Sequence, residues 1–383
     1  MTDLFRHTVV PDVARLGEEA AEITANALRA AGGKLAKGSV PRAVDTDREA
    51  ASRVAGGHAD NEAAAAGSAL DPSRREHDEP GQDDEIAALI ARQSAELGLR
   101  TPAERALESS LFIDEPLHQM ALIRDQPDLE LLFGDGEWAG YLDARAFTRQ
   151  YGDRDLTMDF MTELHQRVSR FSADGFGGVF VNGQRWGPLN HRLTEGEIAV
   201  VEANPYLEHL PPGTGGFLID DGIEYRVSTP DAARPELQSL CEWYNNARNQ
   251  PGADPYALAA ELQQRAVSIH PWQDYNGRFS RLLMNWSLER DGLPPSAIAD
   301  FDKDVFSTTR EWTDTVRAGS DTFRERADRL EQLGDTADPV DVFDLSSDYE
   351  RYRDLGRSTA PFDLGDQQDI YGCRKALEQL RNP

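Results

Sequence analysis

Between His270 and Arg281 the chain reads HPWQDYNGRFSR. One imidazole, one carboxylate, an Asn-Gly pair and two guanidinium groups fall within a single short stretch. A near-neutral histidine is suited to take a proton from an attacking hydroxyl. Arg278 and Arg281, three apart, lie on one side of a helical turn and suit paired N–H contacts to a polyphosphate. Asp274 on its own would repel such an anion. Beside phosphates it makes sense as a ligand of magnesium, which commonly takes one or two carboxylates together with the nucleotide. The types and spacing therefore point to phosphoryl or nucleotidyl transfer. The neighbourhood agrees: between Tyr256 and Ala299 four basic residues balance four acidic ones, in a chain whose net charge is −28.

Two helices must hold these groups. PYALAAELQQRAVSI places Leu258, Leu262, Ala266 and Ile269 on one face, and His270-Pro271 ends that helix, because the residue before proline is pushed out of the helical region. A second helix is expected from near Gly277, with Phe279, Leu282, Leu283 and Trp286 at i, i+3, i+4 and i+7. The loop between them feeds a helix N-terminus, where unsatisfied N–H groups and the helix dipole favour a phosphate. Each residue alone has an ordinary reading: a histidine ending a helix, an Asp in a turn or cap, an Asn-Gly turn. Only the joint pattern indicates a site. His165, in TELHQRV, has helical spacing and reads as a structural histidine.

Composition narrows the rest. The chain has 383 residues, 40 basic and 68 acidic, which argues against a duplex nucleic-acid partner or an anionic membrane surface, since both need a basic face. Cys241 and Cys373 have no metal-ligand spacing, so neither a disulfide framework nor a structural zinc is expected. No apolar run approaches the roughly 20 residues that span a bilayer, and no signal segment is legible. A cytoplasmic protein is expected, or an effector secreted by a non-classical route.

Residues 1–84 read as a largely disordered N-terminal region with one amphipathic helix at about 11–31, because the Ala-, Gly- and acid-rich stretch offers little to bury. Residues 85–156 read as a helical extension packing on the core, 157–319 as the main helical domain, and 320–383 as an acidic extension, extended or loosely helical. In FLIDDGIEYRV two short apolar runs, Phe217, Leu218, Ile219 and then Ile223 and Tyr225, flank Asp221-Gly222, a hairpin signal.

The 270–281 stretch resembles the Fic-domain family, whose pattern is His-Pro-Phe-x-Asp/Glu-Gly-Asn-Gly-Arg-x-x-Arg. The resemblance extends through MTELHQRVSRF, the expected hairpin, LQSLCEWYNNAR and LLMNWSLERDGLPP, so it covers roughly Thr157 to Gly319. It implies a mainly α fold, a helical bundle with a β-hairpin flap. It also implies transfer of AMP or another phosphate-linked group from ATP or another nucleotide donor to a Ser, Thr or Tyr hydroxyl of a protein. By position, His270 would be the base and Asp274 the Mg2+ ligand. Asn276 and Gly277 would form the anion hole, with Arg278 and Arg281 on the outer phosphates. Phe217, Leu218, Ile219, Ile223 and Tyr225 would belong to the flap that aligns the target by strand addition.

Two departures stand out. Trp272 replaces the usual Phe as a core anchor. Tyr275 stands where the family has Gly or Ala; it either crowds the donor and forbids the backbone geometry, or stacks on an unusual donor or bonds a phosphate. An inactive Fic-like nucleotide- or partner-binding module, with Tyr275 blocking the donor pocket, is the alternative reading, and action on a small-molecule hydroxyl is a third. The family's inhibitory Ser/Thr-x-x-x-Glu helix has no good copy. STTREW, from Ser307, has the spacing but ends in Trp. A regulatory antitoxin-like protein is then a candidate partner.

Overall fold

The computed structural model describes residues 82–124, 135–172, 175–187, 192–210, 225–357 and 370–382. The expected helix at 11–31 and flap residues Phe217, Leu218, Ile219 and Ile223 lie outside them.

Four helices precede the motif-bearing part: α1 (Gln82–Leu97), α2 (Pro102–Ser109), α3 (Glu115–Ile123) and α4 (Asp135–Tyr151). Their ends follow local chemistry. Thr101 accepts from Glu104 N while Glu104 reaches back to Thr101 N, a capping box that starts α2 at Pro102. Next come α5 (Met158–Val168), capped by Thr157, then α6 (Glu195–Ala203) and α7 (Pro230–Arg248). The central pair is α8 (Pro255–Ile269) and α9 (Asn276–Arg290), which pack on each other along most of their length. Asp254 caps α8, and Pro255 takes the first helical position, where no N–H is needed.

The core runs through the middle of these helices. Trp138, Phe160, Trp272, Phe279 and Trp286 are all buried in one apolar cluster joining α4, α5, α8 and α9. Trp243 is only partly buried and lies beneath the Arg265 guanidinium at 4.1 Å, at the edge of the core. One side of α4 carries Glu137, Tyr141 and Arg145 at successive i, i+4 positions. Arg145, fully buried, bonds Glu108 of α2 at 2.6 Å and Glu289 of α9 at 2.6 and 3.0 Å, and thereby ties the N-terminal helices to the motif helix.

Three two-residue strands, β1 (Trp186–Gly187), β2 (Glu208–His209) and β3 (Tyr225–Arg226), form an antiparallel sheet in the order β1-β3-β2. Arg226 is paired opposite Glu208 and makes an ion pair with it. The described partners of Tyr225–Arg226 are thus 186–187 and 208–209, segments that the apolar-run pattern did not mark as strands.

The C-terminal part differs from the expected loose tail. Helix α10 (Thr309–Leu333) continues through Gly319, where a boundary was expected. A Cβ there would meet Ser296 Oγ at 2.3 Å and the Ala297 carbonyl at 2.7 Å, so glycine permits a close approach rather than ending a helix. Helices α11 (Pro339–Val342), α12 (Ser346–Arg357) and α13 (Ile370–Arg381) follow, and α12 and α13 pack on α3. Cys373, Ala376, Leu377 and Leu380 are buried; this stripe at 3.6-residue spacing is what the acidic composition obscured. Among the described residues no helix is long and apolar enough to cross a membrane.

Candidate active site

The loop between α8 and α9 is bracketed by two residues in the left-handed region, His270 at φ 51° and Tyr275 at φ 62°. Such backbone costs a side-chain-bearing residue roughly 1–2 kcal/mol and persists only where its surroundings hold it. The surroundings here do so. His270 N bonds the Ala266 carbonyl at 3.2 Å, and its ring Nδ1 lies 3.3 Å from the Val267 carbonyl. A carbonyl can only accept, so Nδ1 is the donor in that contact. At the other end Tyr275 N donates to Asp274 Oδ1 at 2.6 Å.

Asn276 grips the loop from the helix side. Its Oδ1 accepts from Trp272 N and its Nδ2 donates to the Trp272 carbonyl, both at 2.9 Å. These two bonds use the amide oxygen and one of the two Nδ2 protons. The first i to i−4 bond of α9 is Phe279 N to the Tyr275 carbonyl, 2.9 Å. The N–H groups of Asn276, Gly277 and Arg278 precede that bond and point outward from the helix start.

Both arginines are buried, Arg278 at 4% and Arg281 at 6% exposure. Arg281 lies flat on Phe301 at 3.8 Å. Arg278 sits between the rings of Phe112 and Tyr275, at 4.9 and 4.8 Å, and pairs with Glu137 of α4 at 3.1 Å. The same carboxylate accepts from the Tyr275 hydroxyl at 3.1 Å. Burial pushes the Tyr275 phenol above its ordinary range; the Arg278 charge opposes this and Glu137 adds to it. Tyr275 therefore adopts the glycine-like backbone and directs its ring toward α4. The sequence reading missed Glu137, Phe112 and Phe301, which lie far from the motif in sequence and carry no spacing that would reveal them.

Neighbouring elements fasten the loop further. Val181 N bonds the Pro271 carbonyl, Gln273 N bonds the Val179 carbonyl, and Arg185 Nη2 bonds the Gln273 carbonyl, at 2.9, 3.0 and 3.0 Å. His165, fully buried, stacks on Trp272 with ring centres 4.6 Å apart and bonds the Asp274 carbonyl at 2.8 Å. Burial holds its pKa down to about 4, partly offset by that bond.

Seven sequence-derived site residues, His270, Asp274, Tyr275, Asn276, Gly277, Arg278 and Arg281, thus occupy one loop and one helical turn. Tyr225 lies apart, in β3, its side chain buried edge-on against Phe306 at 5.5 Å. The STTREW stretch forms a capping box instead of a brake: Glu311 accepts from Thr308 N and Oγ1 at 2.9 and 2.7 Å, an ordinary helix start. Among the described residues no group of three His, Cys, Asp or Glu side chains is placed to hold a metal. Asp274, half-buried in the loop, is the single carboxylate on the motif; that donor set fits a magnesium ion arriving with a nucleotide, not a resident metal.

Comparison with known proteins bears on the same region. The sequence profile described as the Fic/DOC family matches residues 155–288. A uridine 5'-monophosphate transferase of Xanthomonas campestris pv. campestris is 39% identical over 77 residues, which is 19% of this chain and 14% of that protein. A Fido domain-containing protein of Dictyostelium discoideum is 34% identical over 101 residues, 24% of this chain and 70% of that one. A protein adenylyltransferase Fic of Culex quinquefasciatus is 34% identical over 115 residues, 28% and 20% of the two chains. The chain thus spans only small parts of the first and third of these relatives. A Fic domain containing signaling protein from Bacteroides thetaiotaomicron aligns at 16% identity with a TM-score of 0.37, over 77% of this chain and 96% of that one. With its motif on a helix–loop–helix and most of one relative's length matched at 34% identity, the chain belongs to the Fic/DOC family.

Proposed function

We propose that the protein is a Fic-type transferase that moves AMP, or another nucleotidyl group, from a nucleotide onto a Ser, Thr or Tyr hydroxyl of a protein. The observation that supports this reading best is the gathering of the motif's groups: His270 and Asp274 on one loop, with the two buried arginines on the helix that this loop opens.

In this reading the target hydroxyl loses its proton to His270 Nε2 as its oxygen attacks the α-phosphorus. The new O–P bond replaces the bond to the leaving diphosphate, whose charge falls to Arg278, Arg281 and the N–H groups opening α9. Asp274 would hold a magnesium ion, which when bound would neutralise charge on the phosphates. Names of relatives support nucleotidyl transfer in general, since one is called a uridine 5'-monophosphate transferase and another a protein adenylyltransferase. Donor base and target are left open by that pair.

Intact-mass spectrometry of the purified protein with magnesium and, separately, ATP, GTP, UTP and CTP tests the reading, with candidate protein substrates added. A mass gain that requires His270 supports transfer and names the donor. A gain that persists undiminished in His270→Ala refutes the role of the base. The Tyr275–Glu137–Arg278 contact favours one second reading, a nucleotide-binding module without turnover. Binding without transfer, and turnover appearing in Tyr275→Gly, would establish that reading instead.

A further inference from the structure

Asp274 is flanked by two peptide planes, and each is gripped by a side chain from elsewhere in the fold. The carbonyl of the 273–274 plane accepts from Arg185 Nη2 at 3.0 Å. The carbonyl of the 274–275 plane lies 2.8 Å from His165 Nε2. Gly178 N donates to His165 Nδ1 at 2.9 Å, so the ring's single proton resides on Nε2 and is donated to Asp274. The N–H of that same 274–275 plane is the one that bonds the Asp274 carboxylate at 2.6 Å. Fixing the carbonyl therefore fixes the direction of the N–H, and with it the carboxylate. Arg185 is 7% exposed and its own carbonyl accepts from Val227 N, beside β3, while His165 is wedged against Trp272. Both side chains are buried.

We propose that His165 and Arg185 are positioning residues of the transfer site: they lock both peptide planes around Asp274 and so hold its carboxylate in one orientation relative to His270 and the arginines. The proposal rests on the transferase reading. Neither residue touches the reacting groups; each acts through Asp274.

The test compares His165→Phe, which keeps a ring against Trp272 but loses both hydrogen bonds, with His165→Gln, which retains a donor for the Asp274 carbonyl. Arg185→Met serves as the independent variant should a His165 variant fold poorly. Hydrogen exchange over 271–277, nucleotide affinity, kcat, and the magnesium concentration giving half-maximal rate are measured on the full chain. In His165→Phe the Tyr275 amide should exchange at least tenfold faster. Its kcat should fall at least tenfold with a raised magnesium requirement, while nucleotide affinity stays within about twofold, and His165→Gln should recover most of the loss. Wild-type kcat and magnesium dependence in both His165→Phe and Arg185→Met would overturn the proposal. So would a loss that tracks only the fraction of unfolded protein. Should the wild type itself transfer nothing, the transferase reading fails, and the exchange measurement decides separately whether these residues lock the loop: unchanged protection overturns that as well.

Discussion

His270 and Tyr275 hold the left-handed backbone at either end of a loop whose side chains are engaged with the loop's own backbone or with neighbouring helices. Exchanging His270 for alanine removes one ring bond and leaves the Ala266 contact, which uses only its backbone N–H. His270→Ala is therefore expected to fold and to bind nucleotide as the wild type does while transfer falls by at least a hundredfold, the scale of a lost general base; mass gain and nucleotide affinity measured together check this. Tyr275→Phe keeps the ring against Arg278 and loses only the hydroxyl bond to Glu137. A single such bond to a charged partner contributes about 1–3 kcal/mol, so urea midpoints should show a loss in that range, and an unchanged midpoint would mean the hydroxyl bond contributes nothing to stability.

Helix α4 is where the N-terminal helices meet the motif. Its Glu137 faces Arg278, while Tyr141 and Arg145 one and two turns on meet Glu108, and Arg145 continues to Glu289. Burial disfavours the Glu108 charge, but Arg145 and then Arg149 more than compensate and hold the carboxyl below its ordinary range. Removing Arg145 leaves buried Glu108 with only the Tyr141 hydroxyl and the more distant Arg149. Arg145→Met should cost about 3–5 kcal/mol, and adding Glu108→Gln should return part of it; denaturant unfolding of both variants measures the difference. Glu137 acts differently: in the proposed transferase reading an incoming phosphate would compete with its carboxylate for Arg278. Glu137→Gln is expected to tighten magnesium–nucleotide binding several-fold, read by calorimetry, and weaker binding in that variant would show that Glu137 orients Arg278 for the ligand instead.

Across the whole molecule, burial sets the pH limits of stability through two histidines in different places. His165 is held down to about 4 by burial, and His118 to about 3 by burial and then by the Arg326 charge. The unfolded chain takes up these two protons near the ordinary histidine value of 6.5, whereas the folded chain excludes them until well below. Each histidine thus contributes stability that is fully present above about pH 7 and lost as pH falls from there, toward about 4 for His165 and about 3 for His118, at roughly 1.4 kcal/mol per pH unit each. Urea unfolding at pH 7 and pH 5 should show that decline, and its reduction in His165→Gln would assign one part of it to this ring; a flat profile would contradict the burial argument.

What the sequence determined by itself is local. The proline after His270, the 3.6-residue spacing of Leu258, Leu262, Ala266 and Ile269, and the motif from His270 to Arg281 made the helix–loop–helix legible, because those features act over neighbouring residues. The end of the chain was misjudged on composition: the acidic balance of residues 320–383 as a whole drew attention away from the buried stripe through Leu377 and Leu380. Tertiary structure alone decided how Tyr275 is accommodated, since only a carboxylate at position 137, brought near by the packing of α4, gives its hydroxyl a partner. It likewise decided that His165, read as structural, bonds the Asp274 carbonyl, a contact spanning 109 residues. Such contacts depend on how helices pack, and no periodicity along a single segment encodes them.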